Sequence, residues 1–131
     1  MSLHKPYLDV PGTTIFDADQ SRKGYWLNQF CMSLRKAENR ERFLADNRKY
    51  LDEWDMSEEQ KQAVIDRDFQ KMLDLGGNVY FLSKIFASEG LSYVQAVSTM
   101  TDMNVQEYQQ MMLDGGRNIE GWRSKKERGE A

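Results

Sequence analysis

The sequence predicts an all-α fold, a single domain of about six to seven short helices with an extended N-terminal arm. Three observations predict it. Both prolines, Pro6 and Pro11, fall within the first eleven residues, so the stretch from Gly12 to Ala131 contains no ring that would break a helix. Ser57-Glu58-Glu59-Gln60, Ser92-Tyr93-Val94-Gln95 and Asn104-Val105-Gln106-Glu107 each have capping-box spacing, in which the first side chain takes the fourth residue's amide and is answered in return. No run alternates apolar and polar as a half-buried strand does, and no Asn-Gly or Asp-Gly pair lies between two such runs. A length of 131 residues suits one domain, divided here into an arm (1–20), a helical domain (21–117) and a polar tail (118–131).

The elements follow in order. Val10-Pro11-Gly12-Thr13-Thr14 carries turn chemistry, and Ile15-Phe16 is an apolar pair suited to clip the arm onto the domain. Ser21 is the expected cap of a helix in which Leu27, Phe30, Cys31 and Leu34 form one apolar stripe. Gly24 interrupts the first turn of that helix, so either the helix starts later or something packs close to this backbone. A charged helix from about Ala37 to Ala45 turns Phe43 and Leu44 inward, and Tyr50, Leu51 and Trp54 continue as a short helical turn. From Ser57 a longer helical face runs through Val64, Ile65, Asp68, Phe69, Met72 and Leu73 to the Gly76-Gly77 pair. Asn78 caps a helix from Val79 to about Ser88 with Val79, Leu82, Ile85 and Phe86 on its apolar face, and Gly90 stops it. The two later capping boxes open helices to about Met100 and Asp114, the second ending at Gly115-Gly116 in a repeat of the Gly76-Gly77 solution. Met100, Met103, Met111 and Met112 cluster here, and the adjacent pair implies a helix buried on two sides, in the core or against a partner. Trp122 is the one large apolar residue of the tail, placed either to pack back or to dock on a partner.

Composition excludes several chemistries. With one histidine, His4, and one cysteine, Cys31, the chain has no Cys/His zinc site, no nucleophilic pair with an ordered histidine base and no internal disulfide. Cys31 reads as a small apolar residue on a buried helix face. Eighteen Lys and Arg against 21 Asp and Glu offer no basic footprint for nucleic acid, and the basic clusters at 35–42 and 123–128 are interleaved with glutamates as solvated helix faces. There is no signal-peptide run and no stretch of apolar residues long enough for a membrane, which predicts a cytoplasmic protein. Met1-Ser2-Leu3 has the look of a remnant added to the native start. Carboxylates are abundant; Asp66 with Asp68, or Glu58 with Glu59, can be imagined as an acid-base pair, but nothing singles them out and their spacing reads as solvated faces. The Gly-Gly pairs follow helices and lack the spacing of a phosphate loop. A helical subunit working with a partner chain is the consequence.

Five blocks, in order, carry a resemblance: Gly24 to Phe30 (GYWLNQF), Lys36 to Phe43 (KAENRERF), Tyr50 to Trp54 (YLDEW), Gly76 to Lys84 (GGNVYFLSK) and Tyr108 to Gly116 (YQQMMLDGG). Together they resemble the small alpha subunit of the protocatechuate 4,5-dioxygenases over roughly Val10 to Arg117. The resemblance implies a subunit of an extradiol ring-opening dioxygenase that is not itself catalytic and holds no metal or other cofactor. It implies as partner a larger beta subunit that holds Fe(II) through two histidines and a glutamate, two copies of each chain in a heterotetramer, and an aromatic acid bound at the interface. The small chain would cover the iron cleft as a lid. Tyr93 aligns with an aromatic position expected near the substrate, with Leu91 and Ser92 beside it. Tyr25, Trp26, Phe30, Met111, Met112 and Trp122 are the residues expected at the partner interface. Related chains accompany enzymes acting on protocatechuate, gallate or aminophenols, so this subunit does not fix the substrate. The alternatives are a stand-alone helical interaction or regulatory module of the same fold, and an autonomous enzyme with a carboxylate site.

Overall fold

Asp17 opens the helical part of the chain. Its carboxylate accepts the amide of Gln20 and starts α1 (Ala18–Lys23), so the helix begins ahead of Ser21, inside the stretch read as arm. The computed structural model describes residues 4–116, 125, 126 and 129. Among them nine α-helices and a 3₁₀ turn at Pro6–Asp9 form an all-α fold with no strand. After α1 come α2 (Tyr25–Ser33), α3 (Ala37–Ala45), α4 (Asn47–Leu51), α5 (Glu58–Ile65), α6 (Phe69–Asp74), α7 (Val79–Ser88), α8 (Tyr93–Ser98) and α9 (Val105–Leu113). The count exceeds the expected six to seven because two predicted helices are each cut in two.

The first cut is at Gly24, where both readings of the sequence hold. The chain breaks there between α1 and α2, and the glycine meets the backbone of Gly76 so closely that a Cβ on Gly24 would lie 2.8 Å from Gly76 Cα and nearer still to its carbonyl. Asn28 stitches the crossing: its Nδ2 donates to Gly76 O at 3.1 Å and its Oδ1 accepts the Asn78 amide at 2.9 Å. Gln60 adds a second stitch, its amide donating to Lys23 O and Leu75 O. The starts of α2 and α7 are thereby fixed against each other.

The second cut is at Arg67. The apolar period runs on from Val64 to Met72, but Arg67 adopts φ 54°. Here Asp68 N donates to Ala63 O and Arg67 N to Val64 O, the paired bonds of a Schellman stop. Asp68 then caps α6 through the Lys71 amide. The same paired bonds end α6 at Gly76-Gly77, α7 at Gly90-Leu91 and α9 at Gly115-Gly116. Three of the four stops thus seat a glycine in the left-handed region, and the fourth seats an arginine.

One core cluster joins the helices. Leu27, Phe30 and Cys31 of α2 and Leu34 at its C-cap face Leu82, Ile85 and Phe86 of α7, with Phe43, Tyr50 and Leu51 closing one flank. The Phe30 ring is fully enclosed, edge-on to Phe43 at 5.1 Å and tilted to Tyr50 at 5.9 Å, a burial that contributes roughly 2–3 kcal/mol. Cys31 is buried in the same stripe, and burial pushes its thiol well above the usual range. Leu44 does not turn inward as expected; it is 45% exposed, because Phe43 alone fills the contact beneath α3. The helix buried on two sides is likewise not found at α9. It rests on α8 through half-buried Val105, Tyr108 and Met111, while Met112 and Leu113 are exposed, since among the described residues no second element covers that face. Val79, expected on the apolar face of α7, is also exposed.

Candidate functional site

The candidate site is the short connection from α7 to α8, residues 90–93, and it is built by two helix-end devices. At the α7 end, Gly90 takes φ 74°, its amide donates to Ala87 O at 3.1 Å and the Leu91 amide donates to Phe86 O at 3.0 Å. At the α8 end, the Ser92 hydroxyl accepts the Gln95 amide at 3.1 Å and Gln95 Oε1 accepts the Ser92 amide at 2.7 Å, a complete capping box. The amides of Gly90, Leu91, Ser92 and Gln95 are therefore all satisfied inside the connection and its two helix ends. What it presents outward is apolar: Leu91 is 39% and Tyr93 55% exposed. Tyr93, the first residue of α8, lays one edge of its ring on Phe86 at a centroid distance of 6.0 Å and leaves the rest uncovered. Of the three residues expected at a lid, Leu91 and Tyr93 are exposed and Ser92 holds the local shape as the cap of α8.

The residues expected at a partner interface are divided by the structure. Tyr25 and Trp26, in the first turn of α2, stand edge to face at 5.0 Å and are both exposed. Met112 is exposed on α9 and Met111 is half-buried against α8, beside an opening of about 250 Å³ lined with Val97, Met100 and Tyr108. Phe30 is withdrawn from the interface: it belongs to the apolar stripe of α2 and has no exposed surface to offer. Trp122 lies outside the described residues. Two exposed groups had no reading as surface, Val79-Tyr80 at the start of α7 and Leu113 at the end of α9. Tyr80 carries Lys84 Nζ over its ring at 4.9 Å, an i,i+4 pair that the sequence spells out.

The ionisable groups near the fold's surface are engaged with one another. Glu58, one of the carboxylates weighed as an acid-base candidate, takes Arg48 through both oxygens, and that guanidinium holds its carboxyl below the usual range. Lys61 sits almost enclosed against Asp52 at 3.1 Å and lowers that carboxyl. His4 is exposed in the arm, and among the described residues no three His, Cys, Asp or Glu side chains converge in a metal-holding group. A two-histidine, one-carboxylate iron site does not fit onto the residues of this chain.

Residues 27–113 match the family described as aromatic-ring-opening dioxygenase LigAB, LigA subunit. The chain belongs to the LigA-subunit family. Its matched region includes the α2–α7 core, the Asn28 stitch and the 90–93 connection, so the candidate site lies wholly within family territory. The chain is also 26% identical over 99 residues, 76% of its length, to a gallate dioxygenase of Pseudomonas putida, and it spans 29% of that relative. This LigA-type chain therefore corresponds to under a third of a longer dioxygenase polypeptide. No helix among its described residues is long and apolar enough to cross a membrane.

Proposed function

We propose that this chain is the non-catalytic alpha subunit of an extradiol dioxygenase that opens protocatechuate or a related catecholic acid, and that residues 90–93 form a lid over the Fe(II) site of a larger beta subunit. The observation that carries the reading is the uncovered Leu91-Tyr93 surface on a connection whose Gly90, Leu91 and Ser92 amides are already engaged. The Leu91 side chain and the ring of Tyr93 lose little by leaving water, and the Tyr93 hydroxyl is left able to hydrogen-bond inside the cleft. Closing the cleft would exclude water and strengthen the electrostatics around a bound catecholate. The iron and its chemistry are supplied by the partner; this chain's residues shape and dry the site.

The match to 29% of a longer gallate dioxygenase supports a chain that carries part of such an enzyme, with the iron-holding part on another chain. Tyr25, Trp26, Val79, Tyr80, Met112 and Leu113 are among the exposed apolar residues available for binding that subunit, in a cytoplasmic assembly of two alpha and two beta chains.

The test is co-expression with the Fe(II) subunit encoded beside it, followed by chromatography and oxygen uptake on protocatechuate, gallate and aminophenol. A stoichiometric complex that opens a catecholic acid, with weaker or uncoupled turnover when this chain is omitted, is the expected result. A chain that stays monomeric beside an active iron subunit would instead favour the stand-alone interaction module.

A further inference from the structure

The connection at 90–93 has a third support, from the break between α5 and α6. Arg67 occupies the left-handed seat of a helix stop that three glycines occupy elsewhere in the chain, at φ 54°. An L-residue there costs about 1 kcal/mol relative to glycine, so the arginine side chain must be retained for what it reaches. It reaches across to the end of α7. Its Nε donates to Glu89 Oε1 at 2.6 Å and its Nη2 to Glu89 Oε2 at 3.2 Å, a bidentate pair on the residue immediately before Gly90. The guanidinium is fixed from behind as well: Nη1 donates to Val64 O at 2.6 Å, Nη2 to Asn47 Oδ1 at 3.0 Å, and its carbon stands 5.1 Å from the Phe43 ring centroid. Asn47 in turn donates to Phe43 O. The side chains of Arg67 and Glu89 are 23% and 30% exposed, against 53% and 47% for the more open Arg42–Glu53 pair.

We propose that Arg67 is the positioning residue of the lid: by clamping Glu89 to the α3–α5 body it fixes the last turn of α7, and with it the pitch at which Gly90, Leu91 and Tyr93 leave the domain. This rests on the lid reading of residues 90–93 and adds to it a remote residue, 22 positions away in sequence, that touches neither the connection nor any substrate. A connection held by a helix stop at one end and a capping box at the other can still tilt as a unit; the clamp removes that freedom. A misplacement of about 1 Å at a reacting centre costs up to 10²-fold in rate, so a tilt of the lid is enough to be felt in turnover.

Arg67→Gly is the discriminating variant, because glycine keeps the helix stop and relieves its strain while deleting the guanidinium. Glu89→Ala deletes the other half, and Glu53→Ala, which breaks the Arg42–Glu53 pair, is the control. In the full chain, hydrogen exchange of the Gly90 and Leu91 amides should quicken by about tenfold or more in Arg67→Gly and Glu89→Ala and stay unchanged in Glu53→Ala. In the complex with the Fe(II) subunit, both clamp variants should lower kcat for protocatechuate by about tenfold with the association constant of the two subunits unchanged, and Arg67→Lys should recover only part of the loss. Unchanged exchange at Gly90 and Leu91 overturns the clamp. Faster exchange with unchanged kcat, while Tyr93→Ala still alters turnover, overturns positioning and leaves the lid reading standing. If Tyr93→Ala is also without effect, the lid reading itself fails and the proposal fails with it.

Discussion

Replacing Gly24 by alanine tests the packing that holds the two central helices together. At φ −96° and ψ 13° the residue lies where alanine is comfortable, so conformational entropy alone would make Gly24→Ala stabilising by about 0.4–1 kcal/mol. The structure reverses that sign. The added Cβ would stand 2.8 Å from Gly76 Cα and nearer to the Gly76 carbonyl, against the 3.4 Å at which ordinary contact begins, and every atom it meets is backbone. No side chain can rotate away, so the crossing itself must open by roughly 0.6 Å or more, an overpacking that typically costs 1–3 kcal/mol. Opening it also stretches the bonds from Asn28 to Gly76 O and from Asn78 to Asn28, each contributing about 1 kcal/mol. The net loss is about 3 kcal/mol, or about 10 °C in Tm for a chain of this size. Urea titration followed by far-ultraviolet circular dichroism gives the number directly. A variant as stable as the parent, or more so, would show that the helices do not cross at these two glycines and would refute the packing account.

Other outcomes follow from the same structure. Asn28→Leu should destabilise by about 3 kcal/mol in the same titration, since it leaves the Gly76 carbonyl and Asn78 amide unpaired at a site 6% exposed, and it should add less than its full cost on top of Gly24→Ala because the two share one crossing. Asp17 is held well below the usual carboxylate range by the Gln20 amide and then by Lys5 and Tyr7, so its contribution is present above about pH 4 and is lost as the pH falls below that; Asp17→Asn should abolish this acid step in hydrogen exchange of the Gln20 amide. Cys31, enclosed and with its thiol pushed up, should react with a thiol reagent only as fast as the chain unfolds, and a faster reaction would contradict its place in the core.

Local signals in the sequence carried most of the fold. Ser57, Ser92, Asn78 and Asn104 cap where their spacing says they should, because a cap is satisfied by residues within one turn, and α3 begins and ends as predicted without a side-chain cap. Asp17 was passed over for Ser21 since both are competent caps and only the arm's ion pairs with Lys5 separate them. The break at Arg67 left no trace in the apolar period: it depends on Glu89, Asn47 and Phe43, which reach Arg67 only through the tertiary fold. For the same reason the connection at 90–93 could be singled out through the family resemblance, and the Arg67–Glu89 pair behind it could not. Phe30 shows the opposite error, a residue whose stripe with Leu27, Cys31 and Leu34 already placed it in the core. The outward faces of Leu44, Val79 and α9 depend on which neighbours exist, and a helical period alone does not state that.

The central claim, that this chain closes the site of an iron-holding partner through residues 90–93, is tested most directly by steady-state kinetics of Tyr93→Ala in the reconstituted complex, read as ring opening and oxygen uptake together. Tyr93 is 55% exposed and lends only an edge to Phe86, so its removal should leave the chain folded and the complex assembled. The account predicts kcat/KM for the catecholic acid lowered by about tenfold or more, with oxygen consumption no longer matched by ring opening. Kinetic constants and coupling identical to those of the parent complex would contradict it.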